Sequence, residues 1–298
     1  NSRLLAWNDA ESTDIVPPKW MSRFSDLSAL NCMRLAHVTS IGDRWLSQCP
    51  TLSAFDVTGL TQLTSVGNYW LSCCYSLTTF DTEGLTHLTR VGDCWMLDGA
   101  SLTAVDCMGL AELASVGHHW LSRCPKIASL DFAGLSQLAS VGDFWLFGGA
   151  TLSTIDLSCL TKLTTVGSDW LCNCTNLTSI DCSGLTQLTM VGGSWLFGCT
   201  RLTSFDCSGL TQLTAVGDHW LSNCATLVAF DCRGLSKLHR VGSGWLACCE
   251  KLTALDCTGL VSIDFIGDHW LYQSTQVTTF RTPFEPSCAK QRNPPRAS

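Results

Sequence analysis

The 298 residues are 46% hydrophobic and only 14% charged, with 24 glycines, 19 cysteines and 12 tryptophans, a balance that supplies a large apolar core and excludes a disordered chain. A formal charge of −7 lacks the clustered lysine and arginine that nucleic acid or an anionic membrane surface demands, so a basic partner is the easier expectation. No apolar run approaches the roughly 20 residues of a membrane span, so no membrane insertion by this segment is expected, and localisation stays open between the cytoplasm and the cell surface.

In chain order, residues 1–25 carry Trp20 and Met21 in the register of the downstream repeats but little else. They predict a degenerate N-terminal capping block, with Pro17-Pro18 starting its helix. From Asp26 to Thr275 the chain is then written, without one insertion, as ten blocks of 25 residues. A period this strict predicts one solenoid over residues 26–280, because each block buries its apolar side only by stacking on its neighbours.

Within a block, positions 2, 5 and 7 are apolar, as in Leu202, Phe205 and Cys207, and the period of two turns 5 and 7 inward on a short parallel strand. Positions 10, 13 and 16 point inward from an arc. Position 17 is glycine in all ten blocks, Gly42 through Gly267, which calls for a positive φ or a close approach of backbone. Position 18 is usually Asp, Asn, Ser or Gly, the residues of a helix N-cap. A helix of one to two turns is expected from there, with positions 16, 20 and 24 on one face.

Trp stands at position 20 in every block, and Trp20 keeps the same register ahead of them. Each indole can bury about 150–250 Å², and at about 25 cal/mol per Å² a buried ladder of them outweighs any local propensity. After the tenth block, Gln276 to Phe280 predicts an eleventh strand. Residues 281–298, with Pro283, Pro286, Pro294 and Pro295, read as a flexible C-terminal tail or linker.

The strings from Ile41 to Cys49 and from Val216 to Cys224 (V-G-D-H-W-L-S-N-C) resemble the Treponema pallidum-type, or BspA-like, leucine-rich repeat. Trp-Leu takes the place of that family's Ala-Phe, and the connection from strand to arc is longer. The resemblance implies a curved, mainly β leucine-rich-repeat solenoid of parallel strands with short helices. It also implies a role in adhesion or binding at cell surfaces, and no catalytic residue.

Most cysteines fall on positions 7 and 24, where Val57, Thr82, Phe132, Leu157, Gly99 or Ser274 stand in other blocks, so the slots read as packing sites and the thiols as small hydrophobes. In-register strands about 4.8 Å apart do not bring Cβ atoms to the roughly 3.8 Å of a relaxed disulfide. A row of thiolates also does not make the tetrahedron that zinc requires. Reduced, buried thiols, no metal site and no cofactor are expected. His119, His219 and His269 at position 19 have no carboxylate-plus-nucleophile arrangement around them.

Position 6 is the most informative polar site: Asn31, then Asp56, Asp81, Asp106, Asp131, Asp156, Asp181, Asp206, Asp231 and Asp256, then Arg281. Lying between two inward positions, these carboxylates face outward from the sheet, and neighbours about 4.8 Å apart repel by roughly 0.9 kcal/mol even in bulk water. Two devices can offset this. Each carboxylate can accept backbone N–H groups from the turn after it, or the stripe can recruit Ca²⁺ or a basic protein segment. Arg233, Lys237, His239 and Arg240 form a local basic departure from the template. The chain reads as a non-catalytic protein-binding scaffold that uses a concave solenoid surface with an Asp stripe. The competing class is a structural or cell-surface coat or adhesion protein without a discrete small ligand.

Overall fold

The computed structural model describes residues 14–281. Most coils supply two strands; coil 201–225 supplies only Ala215–Val216. One lies at positions 4–6, as in Ala104–Asp106, and one at positions 15–16, as in Ser115–Val116. The short strands pair in parallel into one eleven-stranded sheet running from Ile15–Val16 to Phe265–Ile266. The period of 25 sets its register, so that Val141 lies opposite both Val116 and Val166. The position 4–6 strands form four shorter parallel sheets of two or three strands. The expected eleventh strand is present as Thr279–Arg281. The predicted tail beyond residue 281, and residues 1–13 of the predicted capping block, lie outside the described residues.

The core fills the space between the two strand rows. Trp45, Trp70, Trp95, Trp120, Trp145, Trp170, Trp195, Trp220 and Trp245 are each 0% exposed. Successive indoles stack with centroids 5.1 Å apart at closest and planes within 4° through the middle coils. The nine indole N–H groups of these residues have no hydrogen-bond partner. Each such orphan costs about 1–3 kcal/mol, so the stack persists because ring burial exceeds that cost.

The expected helix after position 17 is not formed. Among the described residues the only helical turns are the 3-10 turns Met33–Leu35 and Ala133–Leu135. Positions 18–24 are instead a chain of tight turns in which every second residue has a positive φ, as in Arg44 (64°), Leu46 (52°) and Gln48 (60°). The alternation turns peptide groups along the stack rather than along the chain. Arg44 N donates to Asn68 O at 2.6 Å, Gln48 N to Ser72 O at 2.7 Å and Met96 N to Trp70 O at 3.0 Å. A helix would spend those groups within its own coil and leave neighbouring coils untied. Inter-coil bonds therefore outweigh the roughly 1–2 kcal/mol that each left-handed residue costs. The same holds at Pro17-Pro18, where turns stand in place of the expected helix start.

Position 18 is correspondingly not an N-cap. Its side chain accepts the N–H of position 18 in the next coil: Asp43 Oδ1 from Asn68 N (2.8 Å), Asn68 Oδ1 from Asp93 N (2.8 Å) and Asp93 Oδ1 from His118 N (2.9 Å). This ladder explains the invariant glycine beside it. A Cβ on Gly117 would lie 2.2 Å from Asp93 Oδ1 and 2.7 Å from Asp93 N. Close approach, and not positive φ, is what position 17 requires.

Candidate interaction surface

The nine aspartates of position 6 lie in one outward row, with Asp106 opposite Asp131, Asp156 opposite Asp181 and Asp231 opposite Asp256. Every one of them uses Oδ1 to accept the N–H two residues on, at 2.8–3.0 Å. Asn31 does the same toward Met33 N at 2.8 Å. The first of the two expected devices is thus built into each coil. The hydroxyl and N–H of Thr58 hold the Asp56 carboxyl below the usual range, and Ser183 and Thr258 do so for Asp181 and Asp256. Hydrogen bonds from the Arg233 guanidinium have the same effect on Asp231.

The ends of the row differ from its middle. Asn31 Nδ2 donates to Asp56 Oδ2 at 2.6 Å, Arg233 Nε donates to Asp231 Oδ2 at 2.7 Å, and Arg281 Nη1 lies 3.7 Å from Asp256 Oδ2. Among the described residues no ion pair reaches Asp81, Asp106, Asp131, Asp156, Asp181 or Asp206, and all six are exposed. A shallow hollow of about 550 Å³ opens at the N-terminal end of the row beside Phe55, Asp56 and Asp81. Among the described residues no three His, Cys, Asp or Glu side chains converge to hold a metal ion.

The basic departure seen in the sequence is internally partnered. Arg233 bonds Asp231, Lys237 Nζ donates to Gln212 Oε1 at 2.7 Å, His239 Nδ1 lies 2.9 Å from Asp264 Oδ2, and the Arg240 guanidinium sits 5.0 Å from the Phe265 ring centroid. The position-19 histidines pack on neighbouring rings: His119 stacks on Phe144 at 4.5 Å, and His219 and His269 meet Phe197 and Tyr272 edge-on.

The described cysteines are free thiols, and all but Cys73, Cys159 and Cys248 are buried. Their role at position 24 exceeds packing. The Sγ of Cys74, Cys124, Cys199 and Cys224 donates to the position-21 carbonyl of the preceding coil at 3.1–3.2 Å, and Ser274 Oγ does so to Leu246 O at 2.7 Å. The appearance of Ser in a Cys slot was the sequence signal for this donor. Burial pushes the thiols of Cys74, Cys124 and Cys174 up to about 12, far from the thiolate that alkylation needs. Maleimide labelling of the native protein, mapped by peptide mass, is expected to modify Cys73, Cys159 and Cys248 and to spare the other described cysteines until denaturant is added. Rapid native labelling at Cys124 or Cys174 would contradict the buried ladder. No helix of the described residues is long and apolar enough to cross a membrane.

The chain is similar to solved solenoids. It is 16% identical to the leucine-rich repeat protein of T. pallidum, over 72% of this chain and 77% of that one, with a TM-score of 0.43. It is 14% identical to a leucine-rich repeat protein of Eubacterium ventriosum (91% and 82%, TM-score 0.44). It is also 18% identical to the functional domain of InlJ from Listeria monocytogenes, which includes a cysteine ladder (85% and 67%, TM-score 0.31). No curated protein matches it. The model of the BspA type leucine-rich repeat region matches residues 21–108, 101–228 and 185–287 in six copies. This repeat is typical of interaction and surface adhesion proteins and generally non-enzymatic. With parallel coils of 25 residues stacked in register and the repeat model spanning nearly all of them, the chain belongs to the BspA-type leucine-rich repeat family.

Proposed function

We propose that the chain is a non-catalytic protein-binding scaffold that receives a basic polypeptide segment along the carboxylates from Asp81 to Asp206. The observation that supports this is the contrast along the stripe. Its ends are engaged by the chain's own Asn31 amide and by the Arg233 and Arg281 guanidinium groups, whereas among the described residues no ion pair reaches the six carboxylates between them. Their Oδ1 atoms are committed to turns, so each offers its remaining acceptor capacity outward at a spacing of about 4.8 Å. Extended polypeptide repeats at about 6.6 Å for every second residue, so a basic segment running along the stack meets a carboxylate near each of its outward side chains.

Neutralising Asp106, Asp131, Asp156 and Asp181 to Asn tests this without dismantling the turns, since Asn31 already makes the same bond to Met33 N. Fluorescein-labelled deca-lysine is expected to bind the wild-type chain at low salt and to lose at least about tenfold in affinity on the quadruple variant. Circular dichroism and melting temperature should stay unchanged. Equal binding by the two proteins, or none by the wild type, overturns the reading and favours a coat protein without a discrete ligand.

A further inference from the structure

A second surface lies on the outer face of the eleven-stranded sheet, away from the aspartate row. In the N-terminal coils, position 15 is mostly a small hydroxyl residue: Ser40, Ser65, Ser115, Ser140 and Thr165, with Arg90 as the exception. In four successive C-terminal coils it becomes Met190, Ala215, Arg240 and Phe265, aligned by strand register. Met190 is 52% and Phe265 48% exposed. Where this change occurs, the row of glycines at position 17 becomes the floor of a trough of about 510 Å³. Position 15 forms one wall. Position 18 forms the other, contributing Asp143, whose Oδ2 lies 3.1 Å from His118 Nδ1, with Ser168 and Asp218.

The two walls are chemically unlike, one apolar and one acidic, and the trough runs along the stack. An extended peptide sends alternate side chains to opposite sides. We propose that this trough binds an extended peptide in which basic and apolar residues are spaced basic-x-x-apolar-basic-x-x-apolar. The spacing follows from the coils. Taking Asp143 as origin, Met190, Asp218 and Phe265 lie two, three and five coils on, or about 10, 14 and 24 Å at a strand spacing of about 4.8 Å. Residues 4, 5 and 8 of an extended peptide lie about 10, 13 and 23 Å beyond residue 1. Residues 1 and 5 then face the acidic wall while 4 and 8 face the apolar one. Arg240, held against the Phe265 ring, sets a positive charge on the apolar wall and opposes the reversed orientation.

This surface stands independently of the aspartate stripe, and the test separates them. The probe is fluorescein-labelled Lys-Ser-Ser-Leu-Lys-Ser-Ser-Leu, with a peptide of the same composition in scrambled order as control, read by anisotropy. The substitutions use residues the chain already carries at these positions. Met190→Ser and Phe265→Ser restore the residue of the N-terminal coils. Asp218→Asn keeps the acceptor for Ser243 N, a bond of 2.7 Å in the wild type, as Asn68 does toward Asp93 N. The ordered peptide is expected to bind at least about tenfold more tightly than the scrambled one. The Met190→Ser/Phe265→Ser double variant and Asp218→Asn should each remove most of that preference, and the stripe-neutralised quadruple variant should retain it. Equal affinity for the two peptides, or no effect of the trough variants, overturns the proposal. Loss of binding in the stripe variant assigns the peptide to the aspartates. A concentration-dependent dimer abolished by Phe265→Ser assigns the trough to a second copy. Either result also overturns it.

Discussion

Trp170→Ala is expected to lower the stability of the solenoid by about 3–5 kcal/mol, the range for emptying a large buried aromatic site. Trp170 is 0% exposed and stacked at 5.3 Å on Trp145 and 5.1 Å on Trp195, so alanine leaves a cavity that two rigid coils cannot close. The loss falls in the middle of a one-dimensional stack, where it weakens two coil interfaces together. Trp170→Phe should cost far less, about 1 kcal/mol, because it keeps an aromatic ring in the slot and removes an N–H that has no partner. Urea denaturation followed by circular dichroism measures both. If the two variants fall equally, the indole N–H is satisfied in solution; if alanine leaves the midpoint unchanged, the stack does not carry the fold.

Gly217→Ala should be nearly as damaging. Its Cβ would stand 2.5 Å from Gly193 N and 2.7 Å from Gly192 C, against backbone that is itself bonded into the sheet and cannot rotate away. A cost of about 3 kcal/mol is expected, the upper end for overpacking. Gly148→Ala is the control. Gly148 has a φ of +71° with nothing within 4 Å of an added Cβ, and Asn173, one coil on, adopts a φ of 60° with a full side chain. About 1 kcal/mol is expected there. Similar melting temperatures for the two variants would mean that coil spacing at position 17 relaxes freely.

The aspartate turns were legible beforehand because an Asx turn joins a side chain to the N–H two residues on and needs no distant partner. The split of the stripe into paired ends and an unpaired middle was not. Asn31, Arg233 and Arg281 meet Asp56, Asp231 and Asp256 only through the coil register or the local rotamer. The trough was missed for a similar reason. Met190, Arg240 and Phe265 are unremarkable at intervals of 25 or 50 residues, and they form a wall only when strand pairing sets them side by side. The position-24 thiols were rightly placed inside, but their role as donors depends on a carbonyl 28 residues earlier.

The amino-acid order alone determined the period, the parallel stacking and the inward column of indoles, because a 25-residue repeat without insertions leaves each apolar position one way to be buried. It did not decide the path from position 18 to 24. There the inward spacing of positions 16, 20 and 24 suits a helix and alternating left-handed turns equally well. Only the tertiary structure chose, because backbone groups turned along the stack bond to both neighbouring coils, and a helix would have left those neighbours without partners.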